Sequence, residues 1–189
     1  HNTNEFIELL KKHNIKYIVD VRSTPYSQYT PQFNRESLKT YLENSKIGYI
    51  YMGDVLGARY NNPELFFNNQ TIVNFQKVSK LPSFKKGIER VIDGIQKGYV
   101  LALMCAEKDP FDCHRFILVS HELTKSGVCV LHIMENGELQ NTETLEKRLL
   151  SKYKIDYQQS TLFEKFKTKD EAIEEAYILR NLDIGYEND

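Results

Sequence analysis

The run from Val100 to Arg115 limits what this chain can fold into more than any other stretch. Val100 to Met104 is short and apolar, and Lys97-Gly98 introduces it. That pattern predicts a strand buried on both faces of a parallel sheet. Asp109-Pro110 then interrupts the chain, because proline drives its predecessor out of the helical region. From Cys113 onward, Phe116, Ile117, Val119 and Leu123 recur at helical spacing until Gly127. Strand, polar loop, helix is the order found at the carboxyl edge of open α/β sheets, where ligands bind. The helix start also offers backbone N–H groups that favour an anion or a thiolate. Cys105, Glu107, Cys113, His114 and Arg115 all fall on this junction.

The remaining segments alternate in the same way. Asn2 and Glu5 have capping-box spacing ahead of an apolar stripe of Phe6, Ile7, Leu9 and Leu10. Ile15 to Val21 is a β-branched strand ending in Asp20 and Arg22, and Pro25 stops it. Asn34 is placed to cap a helix through Leu38, Tyr41 and Leu42, and Tyr49 to Met52 is a short strand. Tyr60 to Leu81 has no clean period and reads as loop plus irregular helix. Ser83 caps a helix with Ile88, Val91, Ile92 and Ile95 inward, which delivers the chain to a central strand at Val100. Val128 to Ile133 reads as another buried strand, closed by an Asn136-Gly137 turn. Two helices follow, one through Leu145, Leu149 and Leu150, the other through Phe163, Phe166, Ala172, Ile173, Ala176 and Leu179. Glu171, Glu174 and Glu175 give the last helix a solvated face. The expected fold class is α/β, a three-layer, mainly parallel sheet flanked by helices, with a C-terminal helical extension. The expected division is 1–140 for the α/β domain and 141–189 for the extension, packed on it or extending from it.

Composition narrows the function classes. A 189-residue chain that is 41% hydrophobic can bury a core, and a net charge of −1 gives no long-range field for nucleic acid. Nucleic-acid binding would need a local basic patch. Three cysteines do not form a secreted disulfide framework, so a reducing cytoplasm is the expected compartment. No apolar run reaches bilayer length and no signal peptide is visible. The chain opens without methionine, which leads us to expect an earlier segment.

Each reactive residue has a structural alternative. Cys105, where the strand leaves the sheet, is a nucleophile stabilised by Arg115 and the helix start, or a small buried hydrophobe. Cys113 has the better address for a lowered pKa, or is an inert neighbour of the cap. Cys105, Cys113 and His114 offer metal-ligand types, but seven residues separate the cysteines and no second pair exists. Structural zinc is disfavoured, a labile metal site stays open as the weaker alternative, and no metal is assigned. Arg115 in a first helical turn opposes the helix dipole. It either faces an anion or pairs with Glu107, Asp109 or Asp112. Asp20 and Arg22 face a ligand or form a structural ion pair. Ser27 lies in a hydroxyl-rich turn, without the glycines of a Walker or dinucleotide loop.

The chain resembles the family known as domain of unknown function 488. The resemblance rests on three stretches. The first is Val19, Asp20, Val21, Arg22, Ser23, Pro25 and Ser27, followed by Phe33 and Leu38. The second is Tyr49, Met52, Gly53, Asp54, Leu56, Gly57, Ala58 and Arg59. The third is Leu103, Met104, Cys105, Ala106, Glu107, Pro110, Cys113, His114 and Arg115. Together they span Asn4 to about Gly137. The resemblance implies an opening strand ahead of His1, and it leaves the tail from about Leu145 uncovered. Gln28 stands where an arginine is usual, and the histidine expected after the Asn136-Gly137 turn is not evident.

The resemblance implies a functional edge and names no reaction. The expectation is an enzyme for an anionic ligand, a nucleotide or a phosphate-bearing nucleic-acid segment. Asp20, Cys105 and Glu107 are the candidate catalytic residues. Arg22, Ser27, Tyr49, Arg59, Cys113, His114 and Arg115 are the candidate ligand-binding ones. The cofactor is unknown. The alternatives are a non-catalytic module that binds a nucleotide or a partner, and a thiol-redox or sulfur-transfer protein. A homo-oligomer through the C-terminal helices is a further expectation.

Overall fold

In a computed structural model the described residues are 2–68, 70–157 and 167–187. The chain divides into two compact units, each made from two stretches. The first unit is His1–Arg59 with Lys80–Ala106, and the second is Tyr60–Ser79 with Glu107–Asp189.

The first unit is built on a parallel sheet of β1 (Tyr17–Asp20), β2 (Gly48–Tyr51) and β3 (Leu101–Met104), in the order β2-β1-β3. Register sets Tyr17 against both Gly48 and Leu101, and Asp20 against both Tyr51 and Met104. The three carboxyl ends are therefore level. Helix α1 (Thr3–Lys12) starts with the expected capping box, Asn2 Oδ1 taking the Glu5 N–H at 2.9 Å and Glu5 returning to the Asn2 N–H at 2.8 Å. Helix α2 (Arg35–Asn44) contributes Leu38 and Leu42, which join Ile7, Leu10, Ile18 and Met104 in one core cluster. Burying each leucine there contributes about 2 kcal/mol. Helix α5 (Pro82–Gln96) buries Phe84, Ile88 and Val91, and its Gly94 approaches Leu101 on the opposite sheet face. Two short helices, α3 (Gly53–Leu56) here and α4 (Phe75–Val78) in the second unit, lie between α2 and α5 in the sequence.

Several expectations need correcting. The strand at Val100 is not central: β1 is, and β3 pairs with β1 alone. An edge strand loses cover on one side, so Val100 is 44% exposed and of Leu101–Met104 only Met104 is buried. Pro82, whose fixed φ suits a first helical residue, starts α5 from Leu81, so Ser83 is not its cap and Ile95 faces solvent. Asn34 sits at the N-cap position of α2, but its side chain takes the Ser27 N–H instead.

The second unit contains α4, α6 (His121–Lys125), α7 (Thr142–Tyr153) and α8 (Lys169–Ile184), with β4 (Leu131–Ile133) and β5 (Leu139–Asn141). The segment from Val128 was expected to enter the parallel sheet. It instead forms a two-stranded antiparallel ladder, Leu131 opposite Asn141, around a turn in which Gly137 holds a φ of 76°. A ladder that narrow covers little, and Leu131 is exposed. The helix foreseen after Cys113 is a π-helix at Arg115–Ser120 that runs into α6. Its wider turn buries five consecutive side chains, Phe116 to Ser120. Helix α8 starts with a second capping box, Thr168 and Glu171, so Glu171 does more than face solvent. Phe163 and Phe166 lie outside the described residues. Among the described residues no helix is long and apolar enough to cross a membrane.

Candidate functional site

The level ends of β1, β2 and β3 release Asp20, Arg22, Ser23 and Cys105 at one edge of the first unit. Asp20 is fully buried and saturated. Its Oδ1 accepts the Arg22 backbone N–H at 3.1 Å and Nε at 2.9 Å, and its Oδ2 accepts Arg22 Nη2 at 2.6 Å and the Tyr49 hydroxyl at 2.6 Å. The Arg22 side chain is 10% exposed. Burial works against its charge, but the hydrogen bonds and the negative charge of Asp20 outweigh it and hold the guanidinium above its ordinary pKa. A buried carboxylate at this depth needs such a counterion. Burial pushes the Tyr49 hydroxyl well above its usual range, and donation to Asp20 pushes it further, so Tyr49 keeps its proton. Cys105 is half-buried and follows Met104, which lies opposite Asp20 and accepts the Val21 N–H at 3.0 Å.

The loop after β1 is fixed from behind. Ser23 Oγ accepts the backbone N–H groups of Ala58 at 3.0 Å and Arg59 at 3.1 Å, and the Ser23 carbonyl accepts the Tyr51 hydroxyl at 3.2 Å. The Arg35 guanidinium lies over the Tyr51 ring, 4.4 Å from its centroid. Gly53 passes so near β1 that a Cβ there would stand 1.9 Å from the Arg22 carbonyl oxygen. Ser27 spends its polar atoms on its own turn, its N–H on Asn34 and its Oγ on the N–H groups of Tyr29 and Thr30. That makes it a turn former. Arg59 is exposed, and its backbone rather than its guanidinium meets Ser23.

Glu107, Cys113, His114 and Arg115 belong to the second unit. Cys113 is buried and its Sγ accepts the Arg115 N–H at 3.3 Å, with His114 Nδ1 at 3.8 Å. Thiolate and imidazole nitrogen are two donors a borderline cation accepts, and this pair makes half of a tetrahedral shell. Two of the three carboxylates offered to Arg115 pair elsewhere. Asp109 goes to Arg148 at 2.7 Å and Asp112 to Arg180, while Arg115 Nη2 donates to the Glu107 carbonyl at 3.5 Å.

Sequence reasoning passed over His132, which was read as part of a strand. It is 4% exposed, packs edge-on against Phe116 at 5.3 Å, and lies 3.3 Å through Nε2 from the Thr142 hydroxyl. Thr142 Oγ1 donates to the Val130 carbonyl, so it accepts from Nε2–H and leaves the imidazole lone pair on Nδ1. Burial, reinforced by the positive charge of Arg115, lowers the His132 pKa to about 4. The signal available in sequence was a histidine inside an otherwise apolar run.

Parallel strands flanked by helices, with a saturated Asp–Arg pair and a cysteine at their carboxyl ends, define an α/β protein with a charged strand-end site. The chain belongs to the family described as Domain of unknown function DUF488, whose model matches residues 2–121. It is also 32% identical over 155 residues to a protein of Schizosaccharomyces pombe named as aldehyde dehydrogenase-like. That alignment takes in 72% of this chain and 30% of the relative, so the chain spans under a third of that relative's length. No solved structure matches the chain.

Proposed function

We propose that the first unit acts on an anionic ligand, a nucleotide or another phosphate-bearing molecule, at the carboxyl ends of β1 and β3. The observation that carries this is the β1/β3 register: Asp20 lies opposite Met104, so Cys105 and the guanidinium that Asp20 holds rigid leave neighbouring strand ends. Arg22 would hold the anion, since a planar fork recognises oxyanions bidentately. Cys105 would be the nucleophile, because a neighbouring cation favours the reactive thiolate. Asp20 is better suited to positioning than to proton transfer: both of its oxygens are engaged and none of it reaches solvent. Glu107, the other acid/base candidate, belongs to the second unit and is given no part in this site.

The saturation of Asp20 also favours a second reading, a module that binds the anion without turning it over. Thermal shifts against a panel of nucleotides and sugar phosphates, followed by product analysis on each binder, separate the two. The enzymatic reading expects turnover that Cys105→Ser abolishes. Binding with no product from any member of the panel sinks the enzyme and leaves the module.

A further inference from the structure

A guanidinium presents two edges that can each grip an oxyanion, Nε with Nη2 and Nη1 with Nη2. Asp20 occupies the first edge of Arg22, at 2.9 and 2.6 Å. Among the described residues no group accepts from the second edge, although the side chain is nine-tenths buried. Two parallel N–H donors that keep a narrow opening to solvent are a ready seat for two oxygens of one group. Because the pair is fixed by Tyr49 from one side and by the Arg22 backbone N–H from the other, the direction of the second edge is fixed as well.

We infer that the Nη1/Nη2 edge of Arg22 is an oxyanion subsite, and that its occupant competes with the Cys105 thiolate for the same positive charge. The inference rests on the anionic-ligand reading above and names the group recognised. That group is a terminal phosphate, sulfate or carboxylate presenting two oxygens on one side. With only a tenth of the side chain exposed, a small terminal group reaches it and the rest of the ligand stays outside. Charge decides the competition. Asp20 already neutralises Arg22, so a thiolate makes the cluster negative and an arriving oxyanion meets repulsion. By linkage each weakens the other by the same factor. Tyr49 and Asp20 are positioning residues in this arrangement, since they set the plane of the fork without touching the ligand.

The test is the rate of Cys105 alkylation by iodoacetamide on the full chain at fixed pH. Mass spectrometry separates Cys105 from Cys113 and Cys129, and inorganic phosphate or sulfate is titrated against chloride at matched ionic strength. The expected result is a saturable, several-fold slowing at Cys105, with the exposed Cys129 unaffected. Arg22→Lys keeps the charge and loses the fork, and should need about tenfold more phosphate for the same protection. Tyr49→Phe should weaken protection while the melting temperature shows a folded protein. A Cys105 rate indifferent to both oxyanions, or slowed equally in Arg22→Lys, overturns the subsite. The titration of the unsubstituted protein can overturn it by itself, whether or not the variants fold. Protection with no turnover leaves the subsite standing and removes the enzyme, whereas turnover without protection removes the subsite alone.

Discussion

Tyr49 and Asp20, 29 positions apart in the chain, share a 2.6 Å hydrogen bond because parallel pairing places Tyr49 opposite Ile18, two residues before Asp20. The bond completes a carboxylate with four donors and no solvent contact. Its consequences can be measured as stability as well as function.

Asp20→Asn removes the charge and keeps the shape, which leaves the buried Arg22 guanidinium without a counterion. Breaking one half of a buried pair costs about 3–5 kcal/mol. Urea unfolding should show a midpoint reduced accordingly, and Asp20→Asn with Arg22→Met should recover part of the loss because no lone charge remains. A single variant within about 1 kcal/mol of the parent would mean the pair is not integral to the fold.

Gly53→Ala drives a Cβ to 1.9 Å from the Arg22 carbonyl oxygen, a backbone atom that cannot swing aside. The strain is worth about 1–3 kcal/mol or more, and it displaces the residue that carries the fork. Gly94→Ala, in the last turn of α5, meets only Leu101 at 3.5 Å and Tyr99 at 3.9 Å, both ordinary contacts. It should be neutral or stabilising by up to about 1 kcal/mol. Thermal melts of the two variants side by side check both statements.

His132 makes the second unit sensitive to acid. Its folded pKa of about 4 lies below its ordinary value of 6.5. Between those values the unfolded chain takes up a proton that the folded chain refuses, so stability falls as pH drops through this window. The loss is on the order of 3 kcal/mol at most. His121, lowered chiefly by burial despite the pull of Glu174, acts in the same direction. Urea midpoints at about pH 7 and about pH 4.5 should converge in His132→Asn relative to the parent. An unchanged pH slope in that variant would contradict the assignment.

Asn181 ties α8 to the start of α4 and the residues just before it, its Oδ1 taking the Phe75 N–H at 2.7 Å and its Nδ2 donating to the Val73 carbonyl at 2.9 Å. Asn181→Ala leaves two buried backbone groups unsatisfied and should cost about 2 kcal/mol or more. Asn181→Asp restores one acceptor and should recover less than half. Denaturant titration measures both.

Much of the first unit was legible in sequence, because its signals are local. The Asn2–Glu5 box and the β-branched run into Asp20 each depend on neighbours within a few residues, as does the turn at Gly137 in the second unit. The edge position of β3 was not legible, because apolarity at Val100 to Met104 says nothing about which strands stand on either side. The π-helix escaped for a similar reason: Phe116, Ile117 and Val119 fit a helical period, and one inserted residue hardly alters it. At the site, Asp20, Arg22 and Cys105 were legible as strand-end residues. The saturation of Asp20 was not, since Tyr49 comes from a different strand. Nor were the partners of Asp109 and Asp112, which Arg148 and Arg180 supply from far along the chain.

The second unit is sewn from two pieces, 60–79 and 107–189, with a whole stretch of the first unit threaded between them. Segment 60–79 finds its backbone partners at Asn181 and Tyr186, more than a hundred positions downstream. The portion matched by the family model, 2–121, takes in 60–79 but stops before α8, which supplies those partners. A ribosome would have to deliver α8 before the early half of this unit could close, so maturation should be late and cooperative, and vulnerable to any nick that frees the last helix.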